Sequence, residues 1–178
     1  MVKLSELSVG KVFEFKYGPI NRDIIKEYAK ASGDGNNIHT DDAYAQGMGL
    51  KGVIAHGMLS YGIAVRFVND LVGEGKLIKI DGQMRGMVRP GDEYVITITV
   101  KEISGNKVTL DVVEMSKTPF KIEKNGALVK KFEAEERGWL DEKDTAENLI
   151  KTEEVGEGTL TYRLRLAIPL KIVAEFVD

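Results

Sequence analysis

Hydrophobic positions change their spacing along the chain, and each change marks an element. Val12 to Tyr17 alternates between Gly10 and the Gly18-Pro19 pair, which predicts a strand. Asn21 can cap a helix that runs to about Ser32, with Ile24, Ile25, Tyr28 and Ala29 on one face and Gly33 as its stop. Residues 33–56 are rich in glycine and hold no steady period, so only a short helical turn is expected, from Asp42 to Gln46. Gly57 to Val72 is apolar on nearly every side, which predicts a buried helix.

Strand patterns follow. Leu77 to Val88 is weak and interrupted by Gly82 and Gly86, whereas Tyr94 to Ile103 is β-branched and alternating. A turn at Ser104-Gly105-Asn106 leads into Val108 to Met115, and Asn125-Gly126 leads into Ala127 to Glu135. Hairpin-linked strands around one buried helix imply an α+β fold in which an antiparallel sheet wraps that helix.

The tail reads differently. From Glu135 to Asp178 there are eleven acidic and six basic residues, while the first 134 residues carry a small positive excess. This divides the chain into a domain over residues 1–137 and an acidic extension over 138–178. Trp139 to Ile150 suggests a polar helix. Leu160, Tyr162, Leu164, Leu166 and Ile168 suggest a half-buried strand, Pro169 favours a sheet edge for it, and the tail is expected to add a strand to the sheet or to form a subunit contact.

Composition narrows the chemistry. The formal net charge is −3, without the basic excess that a phosphate backbone requires, so no nucleic-acid partner is expected. No segment approaches the roughly 20 apolar residues of a membrane span. No signal-type apolar run follows the N-terminus, and a cytoplasmic location is expected. Cysteine is absent, which removes thiol nucleophiles and thiolate metal sites. The two histidines, His39 and His56, are the only imidazoles.

Both lie in one glycine-rich segment. Asp34 and His39 are five residues apart beyond a helix end, where a carboxylate and an imidazole can converge on one water. His56-Gly57 opens the buried helix, where free N–H groups and the positive dipole end can hold an oxygen that gains charge. Adjacent Asp41 and Asp42 diverge in an extended loop, and no metal is expected.

The pattern S-G-D-x-N-x-x-H at Ser32 to His39, followed by His56-Gly57, resembles the MaoC-like dehydratases, which include the R-specific enoyl-CoA hydratases. Arg85 to Asp92 also resembles the family's strand that ends in Gly-Asp. The resemblance implies a hot-dog fold, a curved antiparallel sheet around one long central helix. It implies reversible hydration of a trans-2-enoyl-CoA to an (R)-3-hydroxyacyl-CoA, with an acyl-CoA substrate, no other cofactor, and a homodimer or higher oligomer. Asp34 and His39 match the catalytic pair, Gly57 the oxyanion-hole glycine, and Asn36 an active-site asparagine; His56 is expected to brace the loop. Prolines usual in the family are replaced here by Asn37, by Asp42, and by Gly52 or Val53. A dehydratase for carrier-protein or dicarboxylic acyl thioesters, and a non-catalytic acyl-CoA-binding subunit, are the alternatives.

Overall fold

The computed structural model describes residues 2–177. Strands β1 (Val12–Tyr17), β2 (Lys76–Gly82), β3 (Glu93–Ser104), β4 (Lys107–Lys124) and β7 (Gly158–Glu175) form one antiparallel sheet in the order β1-β3-β4-β7-β2. Strand β5 (Ala127–Lys131) pairs with the outer end of β4, and β6 (Ile150–Val155) with that of β7. The helices are α1 (Arg22–Ser32), α2 (Asp42–Gly47), α3 (Gly57–Val72), α4 (Glu133–Glu136) and α5 (Glu142–Ala146). Among the described residues, no helix is long and apolar enough to cross a membrane.

Strict alternation puts Tyr94, Ile96, Ile98 and Val100 of β3 and Val108, Leu110 and Val112 of β4 on the inner face. They share one core with Ile63, Ala64, Val68, Leu71 and Val72 of α3. The sheet therefore curls around α3, and the expected hot-dog architecture is present. The weak strand expected to Val88 ends at Gly82, and the chain then runs as a loop to β3.

The stretch beyond residue 137 is no appendage. Its strand β7 lies inside the sheet, paired with β4 from Lys107↔Glu175 to Glu123↔Thr159 and with β2 from Lys76↔Glu175 to Gly82↔Leu170. The edge position expected from Pro169 does not occur, for a local reason. The Pro169 carbonyl accepts the Gln83 N–H (3.3 Å), on the side where β2 has already ended. In an antiparallel strand a residue's N and O point the same way, so the missing N–H faces that gap and leaves the β4 ladder whole.

The side-chain alternation expected from Leu160 to Ile168 also breaks. Glu114 faces Ile168 and Met115 faces Leu166, so Ala167 is an extra residue, a bulge. Leu166 is consequently exposed, while Arg163 is buried. The expected polar helix shrinks to the single turn of α5, which Asp141 and Asp144 cap reciprocally.

The outer halves of β4 and β7, with β5, β6, α4 and α5, form an annex around Phe120, Ala134, Trp139 and Ile150. Arg163 donates to Asp144 (2.9 Å), to the Trp139 carbonyl and to Thr118, and Arg165 also pairs with Asp144. Burial pushes the Asp144 carboxyl up, but Arg163, the Asp141 N–H and Arg165 outweigh it and hold the group below its ordinary value.

The inner face carries one unpaired acid. Glu114 of β4 is buried, and neither of its carboxyl oxygens has a hydrogen-bond partner among the described residues. Burial pushes it up to about 9, so it is neutral at pH 7. An unfolded glutamate ionises near ~4.3, so the native protein holds an extra proton between those values. Stability must then fall as pH rises through that window. Glu114→Gln removes this slope. Its Tm advantage over the wild type in calorimetry will be roughly 4 °C or more at pH 8 and will vanish near pH 4.

A second prediction concerns β7. A chain ending at residue 137 leaves β2 without its neighbour and β4 open along one side. Circular dichroism will show no cooperative thermal transition for it. A single sharp transition at the full-length Tm would refute the interior role of β7.

Candidate active site

The site is assembled where α1 ends. Gly33 takes the left-handed conformation (φ 76°) and donates to the Ala29 carbonyl, which stops the helix and turns the chain into Asp34. The Asp34 carboxylate accepts the Asn36 N–H (3.3 Å). The Asn36 side chain accepts the Ile38 N–H (3.2 Å) and caps the tight turn Asn37–His39. These local bonds are those that Asp and Asn side chains make most readily, and they deliver His39 inward from an exposed loop.

His39 is buried, and its Nδ1 lies 2.8 Å from the Ile54 carbonyl. A carbonyl only accepts, so Nδ1 carries the proton and Nε2 keeps a free lone pair. His56 is the N-cap residue of α3. By the same logic its Nε2–H donates to the Asp34 backbone carbonyl (3.1 Å). The two imidazoles stack at 3.8 Å between centroids, and the Tyr28 ring centroid lies 5.0 Å from that of His56. His56 thus ties the Asp34 loop to the start of α3 and backs His39. Burial and the neighbouring His39 lower the His56 pKa, opposed by the Asp34 carbonyl that accepts from it and by the Asp34 charge.

A carboxylate oxygen of Asp34 and one nitrogen of each histidine lie within 4.8 Å of one another. Each ring donates one N–H to a carbonyl, which leaves the other nitrogen of each with a free lone pair.

Gly57 opens α3, so its N–H has no partner within the helix. Together with His39, Ile54, Ala55, Met84 and Met87 it lines a cavity of about 270 Å³. His39 and Gly57 thus line this space, while Asp34 and His56 lie close to His39 without lining it. Asn36 does not line it either, and its side-chain oxygen is engaged in the turn.

Two sets of residues escaped the sequence reading. The first is the methionine pair Met84 and Met87, which the sequence places in the weak strand expected from Leu77 to Val88. The second is a ring of four charges. Arg22 pairs with Asp42 (3.0 Å) and Glu133 (2.6 Å), and Arg137 pairs with the same two carboxylates at 3.1 and 2.7 Å. Asp42 also accepts the Val53 N–H (2.9 Å), one residue before the carbonyl that orients His39. Burial would raise the Asp42 carboxyl, but that N–H and the two guanidinium groups hold it below its ordinary value. The annex adds a further clamp. Trp139 Nε1 donates to the Lys51 carbonyl (3.1 Å), and Lys51 pairs with Asp141 (2.6 Å). The only sequence signal for the ring was the acid at position 42, readable merely as a helix start.

Known proteins resemble this chain in sequence and in fold. Residues 5–119 match the family model of the MaoC like domain. Over 79 residues, 44% of this chain, it is 42% identical to the peroxisomal hydratase-dehydrogenase-epimerase of Neurospora crassa, and it spans 8% of that relative's length. The (R)-hydratase from A. caviae involved in PHA biosynthesis superposes with a TM-score of 0.64 at 16% identity, over 96% of this chain and 98% of that one. An R-hydratase of Pseudomonas aeruginosa in its unliganded form gives 0.67 at 18% identity, over 99% and 86%. At such identities the two structures share the fold.

The lowered pKa of His56 has a consequence in acid. A histidine held neutral in the folded state loses stability as pH falls below its unfolded value, near ~6.5. Amide exchange in residues 34–40 will therefore quicken between pH 7 and pH 5, normalised for intrinsic exchange. The acceleration will be absent in His56→Phe, which keeps a ring but cannot titrate.

Proposed function

The chain belongs to the MaoC-like dehydratases, and from that premise we propose that it reversibly hydrates trans-2-enoyl-CoA thioesters to (R)-3-hydroxyacyl-CoA. The observation that carries this reading is the orientation of His39. The Ile54 carbonyl fixes its proton on Nδ1, which leaves Nε2 with a free lone pair; a ring nitrogen of His39 lies within 4.8 Å of an Asp34 carboxylate oxygen, and His39 and Gly57 line one cavity.

In the proposed mechanism a water sits between Asp34 and His39. His39 Nε2 removes one proton as the water oxygen attacks C3 of the enoyl group. Electrons of the C2–C3 double bond move toward the thioester, whose oxygen gains negative charge. The Gly57 N–H and the positive end of the 16-residue helix α3 hold that charge. Asp34 orients the water, takes over the proton that His39 has gained and passes it to C2, so that the water adds as hydroxyl at C3 and hydrogen at C2 and both groups return to their starting states. His56 acts through the other two by holding the Asp34 loop and stacking on His39. The reaction as drawn uses no metal and no redox cofactor.

Outside β2, the sheet offers an unpaired edge among the described residues. Pairing of that edge with a second copy, as a homodimer or larger assembly, belongs to the same proposal.

Purified protein mixed with crotonyl-CoA will consume the enoyl absorbance. Asp34→Asn and His39→Ala will each lower kcat by about 10² to 10⁴, the usual scale for a positioned acid or base. His56→Ala will lower kcat less and leave KM nearly unchanged. Full activity in either catalytic variant would sink the residue assignment. An inert wild type on both CoA and carrier-protein thioesters would favour a binding role.

A further inference from the structure

The cavity beside His39 is partly filled by the protein itself. Met84 lies two residues beyond β2, and its side chain rests on Gly57. A Cβ built on that glycine would lie 2.2 Å from Met84 Sδ and 3.1 Å from its Cε. Met84 is nevertheless 53% exposed, so burial of its own surface does not account for this position. Its thioether covers the first residue of α3, whose N–H the proposed mechanism needs for the thioester oxygen.

The backbone beneath Met84 cannot withdraw. Gln83 donates to the Pro169 carbonyl (3.3 Å), and Arg85 and Gly86 donate to the Ala167 carbonyl at 2.8 and 3.2 Å. At Gly86 the two chains are so close that a Cβ would lie 2.4 Å from the Leu166 carbonyl oxygen. Farther along, the Val88 carbonyl accepts the Ala55 N–H (2.8 Å), which pins the loop to the segment that enters α3. Only rotation of the side chain can clear Gly57. Methionine suits that task, because it is unbranched, turns about three bonds, and its sulfur is a weak acceptor that a carbonyl oxygen displaces readily.

We propose that Met84 is a specificity-determining residue that discriminates at C2 of the acyl group. This rests on the hydratase reading above. A thioester whose oxygen sits on the Gly57 N–H brings its C2 into the space beside the thioether. An acyl chain unsubstituted at C2 passes once the side chain turns. A methyl group on C2 meets the sulfur or its terminal methyl and is rejected. The bulge at Ala167 and the absent side chain at Gly86 hold the loop at the distance this selection requires.

The test compares crotonyl-CoA with tiglyl-CoA, its 2-methyl counterpart, on the wild type and Met84→Ala. The ratio of kcat/KM for tiglyl-CoA over crotonyl-CoA will rise about tenfold or more in Met84→Ala, the scale of one methyl group in a fitted pocket. An independent readout uses protein labelled with ¹³C-methyl methionine. The resonance lost in Met84→Ala will move when the wild type is saturated with butyryl-CoA, which cannot be hydrated. A wild type active on crotonyl-CoA whose selectivity ratio is unchanged in Met84→Ala overturns the role of Met84 alone. So does a Met84 resonance that stays still at saturation. A wild type inert on crotonyl-CoA defeats the hydratase reading and this proposal with it.

Discussion

The long ladder between β4 and β7 is the constraint on which the other parts depend. It joins Lys107–Glu123 to Thr159–Glu175, well beyond the length that the central helix can cover. Its inner half closes the sheet around α3. Its outer half has no helix to pack on and builds a second small core of Phe120, Ala134 and Trp139. Because one pair of strands runs through both halves, the annex is rigidly continuous with the sheet. Arg163 and Asp144 fill the junction as a buried ion pair supported by Arg165. Such pairs add little net stability, but they admit few alternative arrangements.

That continuity reaches the site. Trp139 holds the Lys51 carbonyl, and Arg137 holds Asp42, which in turn holds the Val53 N–H. The next carbonyl, at Ile54, determines which nitrogen of His39 carries a proton. A tautomer at the centre of the molecule thus depends on residues of the annex, beyond the segment that matches the family model. His56 supplies the complementary tie from the other side, through the Asp34 carbonyl and the ring stack. Asp34 and His39 stand on one loop, yet both are anchored to rigid elements.

Much of this was legible in the sequence, for identifiable reasons. The strict alternation of β3 and β4, the all-round apolar surface of α3 and the stop at Gly33 are local signals, and each produced its expected element. Asp34, His39 and His56 sit in one short window, and the fold brings their ligand atoms close together, with His39 and Gly57 lining one cavity. What could not be read depends on distant partners. Pro169 looks like an edge residue until Gly82 is known to end β2 beside it. Leu166 looks inward until the bulge at Ala167 turns it out. Asp42 looks like a helix start until Arg22, Glu133 and Arg137 surround it. A charge count separated the tail, whereas hydrogen-bond pairing joins it to the sheet.

The strand order also has a consequence during synthesis. Among the described strands, β2 pairs with β7 alone, and its partners there begin at Leu170, 88 residues after Gly82. At a translation rate of roughly 5–20 residues per second, β2 spends about 4–20 s outside the ribosome with no strand beside it. An apolar strand left in that condition would recruit other nascent chains. Lys76, Lys79 and Asp81 place charge along β2 instead, so a segment that waits long for its neighbour is guarded against pairing with a stranger.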